Sequence, residues 1–226
     1  MNKQSITYQI IRCKRKSTAI YVKEGGTVVV RAPFFISNEQ IDAFVQSHYH
    51  WILLKQSEQQ SLQQKKEHFS VTDQDTLTVL GREYPVVYGN QVYFNGTVFE
   101  IPEIDFSQIK PQVIAEYKRL ATKIITERVG YFSELTGWKA ESVKIGSAKT
   151  RWGSCSGTNN LNFTWKLIFA DLNTIDYVVL HELAHTKEHN HSQRFWNLVA
   201  KYMPNYKKIR GNLIAVQKKL MQENWD

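Results

Sequence analysis

The stretch HELAHTKEHNHSQRFW, residues 181–196, gathers four of the chain's seven histidines into eleven positions. Residues four apart on a helix stand one turn apart on the same face. His181 and His185 can therefore place two imidazoles on one metal ion. Glu182 is offset to the side, close enough to take a proton from a water that the metal activates without being a ligand itself. This reading needs a helix. The preceding run through Tyr177, Val178 and Leu180 has helical apolar spacing, and Asp171 stands where a capping residue should.

A catalytic zinc takes three protein ligands and keeps a fourth position open. Three residues compete for the third place: Glu188, His189 and His191. On a straight helix Glu188 rises about 10 Å and His189 about 12 Å above His181. Bonds near 2 Å cannot reach ligands on three successive turns. The chain must turn back, and Asn190 is suited to it, because Asn tolerates the left-handed conformation that ends helices. His191 follows that turn, and Asn190 or Ser192 can cap the next helix. The expected set is His181, His185 and His191 around one Zn2+, with Glu182 as general base. His189 reads as a solvent-facing histidine near the helix end, with a role beside the metal as its alternative. The spacing His-x3-His-x5-His is also that of the metzincins, but Glu188 stands where their motif has glycine, so their turn is not reproduced.

Outward from this cluster the pattern is mixed. Strands are expected at 19–22 and 28–30 around Gly25-Gly26, where glycine supplies positive φ. Ser37 to Gln40 forms a capping box. A helix follows with Ile41, Phe44, Val45, His48 and Ile52 at three- and four-residue steps. The polar run 57–68 is its solvated end or a linker. Short strands return at 76–101, with Asn95-Gly96 signalling a type I′ hairpin. The main boundary is placed at 103–110, giving a β-rich region over 1–105 with one long helix, and a second domain over 106–226. In the latter a helix starts at Pro111 and ends at Gly137. Strands follow at 143–145 and around 161–168, and the stretch 161–165 is expected to be an edge able to hold an extended peptide. A Gly/Ser-rich loop, TRWGSCS at 150–156, lies between them. Helices from 192 to Pro204 and from 205 to about 222 close the chain. The fold class is α+β.

The motifs RWGSC at 151–155, NFTW at 162–165, DYVVLHELAH at 176–185 and NHSQRFW at 190–196 together resemble those of the YgjP-like metallopeptidases, distant kin of the WLM and SprT-like zincins. VVVRAP at 28–33 and the helix end near His50-Trp51 extend the likeness over most of the chain. The resemblance implies a zincin-like C-terminal domain, with an antiparallel sheet packed on the active-site helix. It also places the third ligand at the histidine of the Asn-His-Ser step, His191. Arg151 is the second catalytic candidate. If its loop lies near the metal, its planar fork can stabilise an oxyanion or grip a carboxylate or phosphate; a structural ion pair is the competing reading. Trp152 would then wall the pocket. Cys155 reads as a small buried residue, and Trp165 and Trp196 as core.

Composition narrows the setting. With 42% hydrophobic and 22% charged residues the chain is ordinary for a globular protein. No apolar run approaches a membrane span. Two cysteines, Cys13 and Cys155, make no disulfide framework. The N-terminus shows no signal-peptide pattern, so a cytoplasmic protein is expected. The net charge is +8, of which residues 1–110 carry +1 and residues 111–226 carry +7. That basic half can attract a polyanion, nucleic acid or nucleotide. Alternatively Lys207, Lys208, Arg210, Lys218 and Lys219 solvate a helix face. The leading expectation is a zinc-dependent peptidase. The rivals are a nucleotide phosphohydrolase using the same site and a nucleic-acid-associated module with structural zinc.

Overall fold

The computed structural model describes residues 6–225, which form an α+β fold of six α-helices and ten strands in three sheets. The backbone gathers into two compact units, residues 6–69 with 221–224, and residues 70–220 with Trp225. The connector at 103–110 falls inside the second unit.

In the first unit β1 (Tyr8–Arg12), β2 (Ala19–Val22) and β3 (Val28–Ala32) form a sheet ordered β1-β3-β2. The central position of β3 explains its unbroken apolar run: both faces of Val28, Val29 and Val30 are covered. β2 turns into β3 through Gly25 and Gly26, both at positive φ. The capping box is present: Ser37 Oγ accepts from the Gln40 amide while Gln40 Oε1 accepts from the Ser37 amide. It starts α1 (Asn38–Ser47), whose Ile41 and Val45 pack on β3. The long helix expected here is broken at His48, and α2 (Tyr49–Glu67) carries the polar run to Glu67 as true helix.

The second unit opens with β4 (Thr76–Val79), β5 (Arg82–Tyr88), β6 (Tyr93–Phe94) and β7 (Phe99–Ile101), ordered β4-β5-β7-β6. The Asn95-Gly96 hairpin exists, but it is not type I′. Phe94 pairs with Phe99, leaving four residues in the loop, and only Gly96 among them has positive φ. Asn95 organises the loop by its side chain, which accepts from the Thr97 and Val98 amides. α3 (Phe106–Thr136) starts earlier than Pro111, because Asp105 caps it through the Ser107 amide. Gly137 ends it at φ 73°. Around Tyr117 of α3, Phe99, Trp165, Phe169 and Trp225 close an aromatic core.

β8 (Ser142–Gly146), β9 (Gly153–Cys155) and β10 (Asn160–Thr164) form the third sheet, ordered β8-β10-β9. It is mixed rather than wholly antiparallel: β10 pairs parallel with β8 and antiparallel with β9. Strand β10 is thus central. The edge beside the metal centre is β9, made from the loop TRWGSCS. Asp171 accepts from the Thr174 amide and starts α4 (Leu172–Ala184). From Thr174 to Ala184 every residue of α4 except His181 is buried, as expected of a helix that is apolar nearly all round. It packs against α3, β9 and α5 (Gln193–Tyr202). The last helix, α6 (Tyr206–Gln222), follows Pro204.

Candidate metal centre

α4 ends at Ala184, but His185 keeps helical backbone angles (φ −64°, ψ −19°), so His181 and His185 stay one turn apart. The amides of Thr186, Lys187 and Glu188 then fold onto the carbonyls of Leu183 and Ala184, each at 3.0 Å. The reversal does not use a left-handed Asn190: among the described non-glycine residues only Leu80 and Asn159 have positive φ. Asn190 acts through its side chain, whose Oδ1 accepts from the Ser192 amide at 3.1 Å. Ser192 in turn caps α5 through the Phe195 amide. Two short polar side chains thus perform the turn, and they return His191 to the helix.

His191 Nε2 lies 3.0 Å from His181 Nε2 and 3.2 Å from His185 Nε2. All three nitrogens fall within 4.8 Å of one another. Metal–nitrogen bonds of 2.0–2.1 Å at tetrahedral angles set such nitrogens about 3.3 Å apart, so the donor set fits a metal ion. The proton on His185 is also assigned by contact. Its Nδ1 faces the Glu188 carbonyl at 3.0 Å, and a carbonyl only accepts, so Nδ1 donates and Nε2 keeps its lone pair for a metal. Burial, then the charges of His185, His191 and Arg210, push the His181 pKa down to about 3. His185 is also lowered, mainly by burial. Both rings are thereby held neutral, the state that binds metal.

Aromatic rings from α5 fix the imidazoles. Phe195 stacks on His185 with centroids 4.4 Å apart and meets His181 edge-on at 4.8 Å. Trp196 stacks on His191 at 5.6 Å. Trp196 is therefore a wall of the site and not simply core, whereas Trp165 is core.

Glu182 is 6% exposed. Burial pushes its pKa up to about 7, with the Arg151 charge pulling the other way. Arg151 is exposed and forms no part of the cleft wall, but its charge reaches Glu182. Cys155 is half-buried outside the histidine group, its thiol raised by burial and by Glu182. Glu188 contributes its carbonyl rather than its carboxylate. His189 is exposed and outside the group.

Beside the histidines a cleft of about 290 Å³ opens. Trp152 and Gly153 from the β9 segment form one wall. Tyr177 and Val178 of α4 and Arg210 and Leu213 of α6 form others. Sequence reading did not assign Gly153, Tyr177 or Arg210 to the site. The one signal available was the spacing Tyr206, Arg210, Leu213, a single stripe of α6; Arg210 is exposed like Lys207, Lys208 and Lys218, but it alone of these lines the cleft. Lys219 also leaves that solvated set, donating to Thr78 and pairing with Glu83. No described helix is long and apolar enough to cross a membrane.

Among solved structures the chain is similar to two metallopeptidase zymogens. One is abylysin of Pyrococcus abyssi, at 22% identity and a TM-score of 0.38, over 40% of this chain and 92% of that one. The other is jannalysin of Methanocaldococcus jannaschii, at 24% identity and 0.34, over 42% and 94%. No curated protein matches. The model of the YgjP-like metallopeptidase domain matches residues 16–215. With that match over most of its length, the chain belongs to the YgjP-like family of metallopeptidase domains.

Proposed function

We propose that the protein is a zinc-dependent peptidase with a single-ion site. The observation that carries this reading is the convergence of three imidazole Nε2 atoms beside a buried carboxylate on the same helix. His181, His185 and His191 would hold the ion. Zinc, when bound, lowers the pKa of a coordinated water toward neutrality and polarises a carbonyl. Glu182 takes the proton from the attacking water and passes it to the leaving amine, a task suited to a carboxyl near neutrality. Its burial keeps bulk water from that proton. Arg151, outside the cleft wall, acts through its charge on Glu182, favouring the ionised carboxylate that accepts the proton. Strand β9 has one pairing edge taken by β10; the other can align an extended peptide.

Three imidazoles, with no fourth protein ligand in the group among the described residues, favour an open position, hence catalysis over structural zinc. Both cysteines are free, which suits a reducing cytoplasm. The test is hydrolysis by zinc-loaded protein of unstructured peptides and nucleoside triphosphates, with Glu182→Gln alongside. Peptide cleavage reduced about 10²–10⁴-fold by the substitution supports the proposal. Triphosphate cleavage lost instead would move the chemistry to phosphoanhydrides. Salt-sensitive nucleic-acid binding without hydrolysis would make the zinc structural.

A further inference from the structure

Helix α6 lays one stripe over the cleft. Tyr206, Arg210 and Leu213 follow one another at steps of four and three. Tyr206 stacks on Trp196 with centroids 5.1 Å apart and 11° between planes, and on Tyr177 at 6.4 Å and 13°. That stack joins α6 to α4 and α5 one turn before Arg210. Arg210 lines the cleft wall with His181, Glu182 and His191.

Arg210 is exposed at the mouth of the cleft, with its charge unpaired by any carboxylate of the described residues. Arg119 pairs with Glu116, Arg128 with Asp176 and Lys219 with Glu83. Among the described residues Arg210 has no ion pair and no side-chain hydrogen bond. The only carboxylate in the cleft wall is Glu182, which the proposed chemistry occupies. An arginine fork against apolar walls is a ready receptor for a carboxylate, which it binds with two parallel hydrogen bonds.

We infer that Arg210 anchors the substrate in the cleft and selects peptides that carry a carboxylate beside the bond to be cut. This rests on the peptidase reading above. The carboxylate belongs either to an acidic side chain or to the C-terminus of the peptide; the anion is the same. Trp152, Val178 and Leu213 then cover the apolar part of the neighbouring residue.

The experiment measures binding of labelled peptides to the zinc-loaded Glu182→Gln protein, so that no cleavage is needed. One peptide has an acidic residue, a second has it replaced by its amide, and a third has an amidated C-terminus. The tightest peptide is expected to bind about tenfold or more better than its neutral counterpart. Arg210→Ala should abolish that preference, Arg210→Lys should keep part of it, and Arg210→Glu should favour lysine-containing peptides. Whichever neutralisation weakens binding identifies the source of the carboxylate. In the active enzyme Arg210→Ala should raise KM for acidic peptides while sparing kcat, and leave neutral peptides unaffected. A preference that survives in Arg210→Ala, or an equal loss for acidic and neutral peptides, would overturn the inference. If wild type cleaves no peptide but the Arg210-dependent preference is seen, the peptidase reading fails and the anchor stands.

Discussion

Gly153 of β9 lies so close to Glu182 of α4 that a Cβ at position 153 would stand 2.7 Å from the glutamate Cγ and 2.8 Å from its Oε1. Carbon atoms do not approach so closely without one of them moving. The bare glycine backbone thus forms the seat of the carboxylate. Gly153→Ala should push Glu182 out of place without touching a histidine. A misplacement of about 1 Å can cost about a hundredfold in rate, so kcat should fall by about that factor while zinc content stays at the wild-type level. Elemental analysis beside peptide-hydrolysis kinetics checks it; equal loss of zinc and rate would mean that the sheet itself had moved.

The three converging imidazoles predict a clean split among the clustered histidines. Replacing His181, His185 or His191 by Ala should weaken zinc binding by more than the about 10–100-fold that groups behind a ligand typically cost. His189→Ala should leave it unchanged, because that ring lies outside the group. Competition with a chromophoric chelator measures each affinity. Zinc at about a hundred times its dissociation constant should also stabilise the wild-type fold by about 2.7 kcal/mol, and a chelator should remove that gain.

Arg128 of α3 holds Asp176 of α4 with two contacts, Nε to Oδ1 at 2.5 Å and Nη2 to Oδ2 at 2.9 Å. Asp176 is 9% exposed, and its burial raises its pKa in spite of the arginine. Arg128→Met would strand this carboxylate and should cost about 3 kcal/mol in urea unfolding. Adding Asp176→Leu should restore much of the loss, since the stranded charge causes most of it.

Acid should act through Glu116. Its burial opposes ionisation, but the Arg119 guanidinium and the Phe94 amide together hold its pKa below the ordinary 4.5. A carboxyl lowered in the folded state contributes stability that is complete above its unfolded value and is lost as pH falls through its folded value. Glu116→Gln should therefore destabilise the protein at pH 7 by about 1–2 kcal/mol. The gap from wild type should shrink below pH 4.5 and close in stronger acid. Urea unfolding at several pH values measures it; a gap that widened in acid would refute the assignment.

Much of this centre is local, and local patterns are written along the chain. A four-residue step puts His181 and His185 on one face, and bond length forbids a third ligand from the next turn, so the reversal before His191 was legible. So were the caps at Ser37, Asp171 and Ser192, because a short polar side chain satisfies the amides of the turn that follows it. Other features left no local trace. Gly153–Cys155 is a strand only because β10 offers it an edge, and three residues are too few to show alternation. The parallel pairing of β8 with β10 depends on a connection through the whole TRWGSCS segment. Asn190 turned the chain by hydrogen bonding and not by its backbone, a choice made by the Ser192 amide beside it. Arg210 lines the cleft one turn after Tyr206, which stacks on Trp196 of α5 and Tyr177 of α4, contacts between helices that no local pattern records. Sequence by itself determined which residues can share one ion, since that follows from helical repeat and bond length. Only the tertiary structure decided what lies across from them, because an apolar face specifies that it will be covered but not which element covers it.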